Sequence, residues 1–222
     1  MSVQQLDHPT PALSTAMRVG SQADHEAAEG STFMEELLGG RINEAGYAAY
    51  LQRLRPVYAA LESVAADLAA AGDPIVGAVH DPILERLASI DADLEHWAPG
   101  AAHEVDSPAA AAYVARIREA AAWGGLFAAH HYTRYLGDLS GGQAIGRILD
   151  RAFELDGAGI AFYDFTAIEK PKLYKDAYRA RLDGLGLSEA DVERVVAEVR
   201  VAFGLNQALF AELSTQIEEF RR

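Results

Sequence analysis

The apolar positions of this chain are set mainly by alanine and leucine, runs of β-branched residues are missing, and no stretch alternates with a period of two. That pattern predicts helix nearly throughout, and clusters of proline and glycine divide it into segments. Ser14 is placed to cap a first helix running to about Glu29, and Ser31 with Thr32 opens a short second one. Asn43 begins a long segment to about Ala71, stopped by Gly72-Asp73-Pro74. Asp81 before Pro82, and Ser107 before Pro108, each pair an N-cap with a proline at the first helical position. From Trp97 to Ser107 the chain reads as loop, with Pro99 and Gly100 inside it. A segment from about Leu126 to Leu155 is interrupted by glycines, and a shorter helix is expected from near Pro171 to Gly184. Ser188 with Asp191 three residues on predicts the capping box of a last helix to about Phe220. The expected fold is an all-α, single-domain helical bundle over residues 1–222, with 1–13 a flexible N-terminal segment.

Composition narrows the function. The 222 residues are half apolar, enough to bury one sizeable core. With 19 Lys plus Arg against 33 Asp plus Glu, the net charge is −14, which repels phosphate backbones and argues against nucleic-acid binding. The absence of cysteine removes disulfides, thiolate nucleophiles, Cys-ligated zinc, iron–sulfur clusters and thiolate-ligated haem together. MSVQQLDHPTPALST has no basic n-region and no apolar h-region, so it is no secretory signal. The longest near-apolar stretch, Ala120 to Ala129, is about half of what spans a bilayer. A soluble, cytoplasmic protein is expected.

Three features depart from a plain bundle. Gly137, Gly141 and Gly142 fall within YLGDLSGGQAIGRIL, where good helix formers flank them and each glycine costs about 1 kcal/mol against alanine. Such glycines serve close packing of two helices, or bare a kinked backbone to a flat ligand; spacing leaves both open. All three lysines, Lys170, Lys172 and Lys175, lie within six residues, and Arg179 and Arg181 follow. Lys175 and Arg179 share a helix face, which suits a carboxylate-bearing ligand, an acidic partner, or simply solvent with Asp176 as internal pair. Of the seven histidines, His25 stands apart because Glu29 lies four residues on. A metal-ligating histidine needs an acceptor for its second ring nitrogen, although HxxxE is also common by chance. Paired Glu-x-x-His motifs, HExxH, serine triads, P-loops and dinucleotide fingerprints are absent.

These residues resemble a known family. TRYLGDLSGGQAIGRIL (Thr133 to Leu149) is similar to the signature segment of haem oxygenases. DHEAAEGSTFMEELLGGR (Asp24 to Arg41) resembles the segment with that family's proximal histidine, and GIAFYDF, YKDAYRARL and AFGLNQALF follow in family order. The likeness covers most of the chain and is greatest to the soluble, biliverdin-producing bacterial members.

The resemblance implies haem b sandwiched between a proximal helix and a glycine-kinked distal helix, as cofactor and substrate together. It makes His25 the axial iron ligand with Glu29 on its other nitrogen, and Gly137, Gly141 and Gly142 the distal backbone. Asp138 would organise distal water, with Arg134 in the same hydrogen-bond network. Lys175, Arg179, Tyr132 and Arg18 would anchor the propionates, while Met34, Phe162, Phe203, Phe210 and Asn206 would form pocket wall. The implied reaction uses O2 and external electrons, from a reductase or ferredoxin, to cleave haem through meso-hydroxyhaem and verdohaem. Its products are biliverdin, carbon monoxide and ferrous iron, with iron release as the expected role. Arg18 stands where many members carry lysine, Pro171 precedes the cationic face, and Gly204 sits beside Phe203, which leaves the meso position attacked open. The alternatives are a haem store of the same fold, a helical enzyme for thiamin-like heterocycles, whose usual cysteine is missing here, and an interaction module. A monomer is expected, since no coiled-coil stripe stands out.

Overall fold

The computed structural model describes residues 12–103 and 105–222. Two long helices make the frame. Asn43 accepts from the Gly46 amide and caps α4 (Glu44–Ala70), and Ser188 accepts from the Asp191 amide and caps α11 (Glu189–Ser214). Around them lie α1 (Leu13–Gly20), α2 (Gln22–Glu29) and α3 (Thr32–Leu38), then α5 (Pro74–Val79), α6 (Leu87–Trp97), α7 (Pro108–Ala120) and α8 (Gly124–His131). After α8 the backbone stays helical through wide π turns at Tyr132–Leu136 and Asp138–Gly142 into α9 (Gln143–Phe153). The chain closes with α10 (Pro171–Asp183), α11 and a short α12 (Ile217–Phe220). The fold is all-α: among the described residues no strand forms, only an isolated bridge between Ile42 and Arg221. None of the described helices is long and apolar enough to cross a membrane.

Alpha-4 packs on α6 and α7, while α11 packs on α8, α1, α2 and α3. One continuous buried cluster, with Tyr47, Tyr58, Tyr113, Tyr178, Phe33, Phe127 and Phe162 as its largest members, joins these contacts.

Five local expectations change, one at the end of the chain, where the last helix expected to reach about Phe220 stops at Ser214 and α12 follows as a separate turn. The first predicted helix is two, divided at Ser21, whose Oγ donates to the Met17 carbonyl at 2.7 Å. Ser14 caps nothing; it is buried inside α1, and its amide and hydroxyl both donate to the Asp183 carboxylate. Gly72-Asp73-Pro74 does not only stop α4, because Asp73 accepts from the Ile75 and Val76 amides and starts α5. Asp81 caps only the 3-10 turn Pro82–Leu84, and α6 begins later, where the Glu62 carboxylate of α4 accepts from the Arg86 and Leu87 amides. Of the segment expected to be flexible, residues 1–11 lie outside the described residues, while Leu13 is buried in α1.

Candidate functional site

Alpha-2 and the glycine segment face each other across a slot open to solvent. Its outer part is a cavity of about 430 Å³ lined by Arg18, His25, Glu29, Tyr132, Gly137, Ser140, Arg179 and Phe203 among others. An inner part of about 150 Å³ shares His25, Glu29, Gly137, Ser140 and Phe203, and adds Met34, Tyr50, Asp138, Gly141, Tyr163, Asn206 and Phe210. The slot is therefore continuous from the mouth to the back of the distal segment.

His25 stands in one wall. Its ring lies edge-on to Phe203, centroids 5.5 Å apart, and Nδ1 is 3.6 Å from the Glu29 carboxylate. Nε2 has no protein partner among the described residues, and the side chain is 52% exposed, so its lone pair is available to a ligand in the slot.

The opposite wall is bare backbone. A Cβ added at Gly137 or Gly141 meets nothing within 4 Å, so neither glycine serves helix packing; both open onto the slot. Gly142 is different, since a Cβ there would lie 3.0 Å from the Tyr163 ring. The π turns insert extra backbone per turn, a distortion common at functional sites, without any left-handed glycine in this segment.

Behind that wall is a buried polar network. The Tyr58 hydroxyl donates to Asp138 Oδ2 and accepts from Arg134 Nε and Nη2 at 3.0 and 2.8 Å. Arg134 Nη1 donates to Asn206 Oδ1 at 2.8 Å, and Nη2 is 3.6 Å from Asp138 Oδ1. Burial pushes the Asp138 carboxyl above its ordinary value, against the opposing pull of Arg134 and of the Tyr58 hydrogen bond. For Arg134, burial disfavours the cation, but Tyr58 and Asp138 outweigh it and hold the charge firmly.

Cations gather at the mouth. Arg18 and Arg179 line it with Tyr132, whose phenol is raised by burial despite both guanidinium groups beside it. Lys175 does not line the slot in this state: its Nζ donates to Ser140 Oγ at 2.8 Å and to the Leu139 carbonyl, bridging α10 to the distal segment. Desolvation, then Arg179, lowers the Lys175 ammonium. Arg179 itself donates to Asp176 at 3.2 Å. The other basic residues of this run diverge, with Arg181 Nε donating to the Ala78 carbonyl on the far side.

Met34, Phe203, Phe210 and Asn206 lie in the wall of the inner cavity. Phe162 does not. It is fully buried against Tyr58, ring centroids 5.3 Å apart, and its neighbour Tyr163 takes the lining position. The reason is the short turn Ala161–Tyr163, held by Asp93, which accepts from the Ala161 and Phe162 amides at 2.8 Å each. Tyr58 and Tyr50 were not legible as site residues, because tyrosines at helical spacing in α4 look the same as core.

The slot suits a group that can lie against bare backbone, carries an atom that binds imidazole, and bears anions at one edge. Haem meets all three conditions, and the open Gly137 and Gly141 backbone is the cradle it requires.

Comparison with known proteins agrees. The family model described as Heme oxygenase matches residues 11–212. Heme oxygenase 1 of the cyanobacterium Synechocystis is 37% identical over 204 residues, covering 90% of this chain and 84% of that protein. Heme oxygenase 1 of Nostoc is 38% identical over 205 residues, covering 90% and 85%. The crystal structure of the Synechocystis heme oxygenase-1 in complex with heme superposes with a TM-score of 0.87 at 36% identity, over 94% of this chain and 95% of that one. The heme oxygenase of Leptospira interrogans gives 0.85 at 33%, over 90% and 99%.

Proposed function

The chain belongs to the haem oxygenase family, and on that premise we propose that it holds haem between α2 and the distal glycine segment and cleaves it to biliverdin, carbon monoxide and ferrous iron. It is a haem-degrading oxygenase. The observation that carries the assignment of the site is the slot itself, with the free Nε2 of His25 in one wall and the uncovered backbone of Gly137 and Gly141 in the other.

Haem, when bound, supplies the iron that activates dioxygen and the porphyrin that is oxidised. His25 would bind the iron through Nε2, with the Glu29 carboxylate, 3.6 Å from Nδ1, placed to fix the ring's tautomer. A neutral imidazole would donate less electron density to bound haem than a thiolate does, which suits oxidation of the porphyrin itself. Gly137 and Gly141 bring no side chain to the oxygen side, and the remaining helix surface limits which porphyrin edge is reachable. Asp138 holds a proton-exchanging carboxyl beside that space, oriented by Tyr58 and backed by Arg134 and Asn206. Arg18, Arg179 and Tyr132, with Lys175 released from Ser140, bind the propionates and set the in-plane rotation of the macrocycle. Electrons come from an external reductase or ferredoxin, and iron release is the role these products serve.

The test is a spectral time course on haem-reconstituted protein with ascorbate in air, in the presence of catalase and an iron chelator. Loss of the Soret band with growth of biliverdin's red absorption is expected. A haem spectrum that persists even with a reductase and ferredoxin would favour the storage reading, which the family relatives do not support.

A further inference from the structure

Three side chains in and just before α6 grip one short segment, and that segment bears on the distal wall. Trp97 Nε1 donates to the Gly159 carbonyl at 2.6 Å, and Asp93 accepts from the Ala161 and Phe162 amides at 2.8 Å each. Arg86 Nη1 donates to the Asp164 carbonyl at 2.7 Å, and its guanidinium lies 4.0 Å from the Phe165 ring centroid. Residues 159–165 carry one 3-10 turn, so their course is set by these contacts more than by any regular structure of their own. Gly159 makes the approach to α6 possible: its backbone is left-handed, and a Cβ there would strike His96 and Trp97.

Asp93 is the costly member of the grip. It is 1% exposed, and a carboxyl so far from water persists only where hydrogen bonds compensate it, whereas packing alone would close a loop without a charge. Burial raises its carboxyl, and the Phe162 and Ala161 amides, then His96, pull it back. Each carboxylate oxygen takes one amide, which fixes both the place and the rotation of the turn.

The turn presents Tyr163 to the distal segment without slack. A Cβ on Gly142 would lie 3.0 Å from the Tyr163 ring, and one on Gly146 would lie 2.9 Å from the Tyr163 Cβ. The distal backbone is thus bare on two sides, toward the slot at Gly137 and Gly141 and toward Tyr163 at Gly142 and Gly146. A displacement of the turn passes straight to that backbone, because close-packed groups transmit strain.

We propose that Asp93, assisted by Trp97, is a positioning residue for the distal wall: through Tyr163 it sets how far the backbone of residues 137–142 stands from α2, and so the space over a ligand bound to His25. The proposal rests on the slot being the haem site. Neither Asp93 nor Trp97 is among the residues lining the slot, and their action passes through Tyr163.

The first test needs no haem. Amide hydrogen exchange compares the parent with Asp93→Asn, which keeps the side-chain volume and removes one acceptor, and with Trp97→Phe, which removes the indole donor. Exchange should quicken by about tenfold or more at residues 161–163 and at residues 138–146, with α5 and α10 unchanged. Faster exchange confined to the turn, or equal at all these elements, would overturn the proposal. The second test reads the C–O stretching band of the ferrous carbonyl complex, which reports on the distal surroundings of the iron. Asp93→Asn should shift or broaden it, and should add nothing in a Tyr163→Ala background, because the two substitutions act along one route. An unshifted band, or additive shifts, would overturn it as well. If Asp93→Asn does not fold, Trp97→Phe carries both measurements. A parent that bound no haem would remove the reading of the slot, while the exchange data would still decide whether Asp93 holds the distal segment.

Discussion

His25 holds its place by two weak constraints, the edge of Phe203 and the carboxylate of Glu29, and His25 and Glu29 are both about half in solvent. Replacing His25 by Ala removes the only imidazole among the described residues that line the slot, so the histidine-ligated haem spectrum and turnover should both be lost. Added imidazole should restore the spectrum, which distinguishes ligation from folding. Glu29→Gln keeps a hydrogen-bond acceptor and should cost at most about tenfold in haem affinity, at the low end for partners of a metal ligand. At the mouth, Arg179 and Lys175 sit in partly exposed positions, where solvent screens charge and each pair contributes about 1 kcal/mol or less. Either alanine variant should raise the haem Kd only a fewfold, measured by Soret titration. Their clearer effect is on orientation, since a haem that rotates in its plane presents another meso edge, and product chromatography should show mixed biliverdin isomers. His25, Glu29 and the cations were legible in the sequence because each departs from its neighbours in type. Tyr58 was not, because a tyrosine in α4 becomes a site residue only when α8 and its continuation bring Asp138 to its hydroxyl.

At the scale of elements, the glycines separate into two kinds that spacing alone did not distinguish. Gly137 and Gly141 face open space, and Gly142 and Gly146 are pressed against Tyr163. Gly137→Ala should therefore stabilise the haem-free protein by up to about 1 kcal/mol, seen as a Tm rise of about 2–4 °C, while weakening haem binding because the new methyl protrudes into the slot. Gly146→Ala should do the reverse on stability, with a loss of about 1–3 kcal/mol from forcing a Cβ against the Tyr163 stem. Differential scanning calorimetry of the two variants reads both signs. The start of α6 shows the same limit of local pattern. Asp81-Pro82 carries the signal of a helix start, yet the Glu62 carboxylate, 24 residues earlier and on another helix, provides the cap that is used.

At the scale of the molecule, acid sensitivity is built into two buried sites on α8. Burial, then His80 and Arg181, lowers His131 to about 3 from an ordinary 6.5, so it folds neutral, with Nδ1 2.8 Å from the Tyr178 hydroxyl. Below its unfolded value only the unfolded chain takes up that proton, and stability falls as pH drops from about 6.5 toward about 3. Glu198 adds to this. Burial raises its carboxyl, but hydrogen bonds from His130 and Arg116 prevail and hold it at about 2, against an ordinary 4.5. Its contribution is complete above about 4.5 and is lost as pH falls through about 2. Urea unfolding of the haem-free protein across pH should therefore show a decline beginning near 6.5 and steepening below 4.5. His131→Phe should flatten the upper part and Glu198→Gln the lower, each at some cost to the plateau.

The sequence by itself determined the helical class, most segment boundaries, and the kinds of chemistry available. These follow from side-chain periodicity, N-caps and composition, all of which act within a few residues. It also carried His25, the glycine segment and the cationic face, which depart from their surroundings in type. Only the tertiary structure decided that Tyr163 and not Phe162 lines the slot, that Tyr58 orients Asp138, and which glycines stand open. Those outcomes depend on how α4, α8 and the Ala161–Tyr163 turn approach one another, and a contact between elements leaves no periodic trace in either.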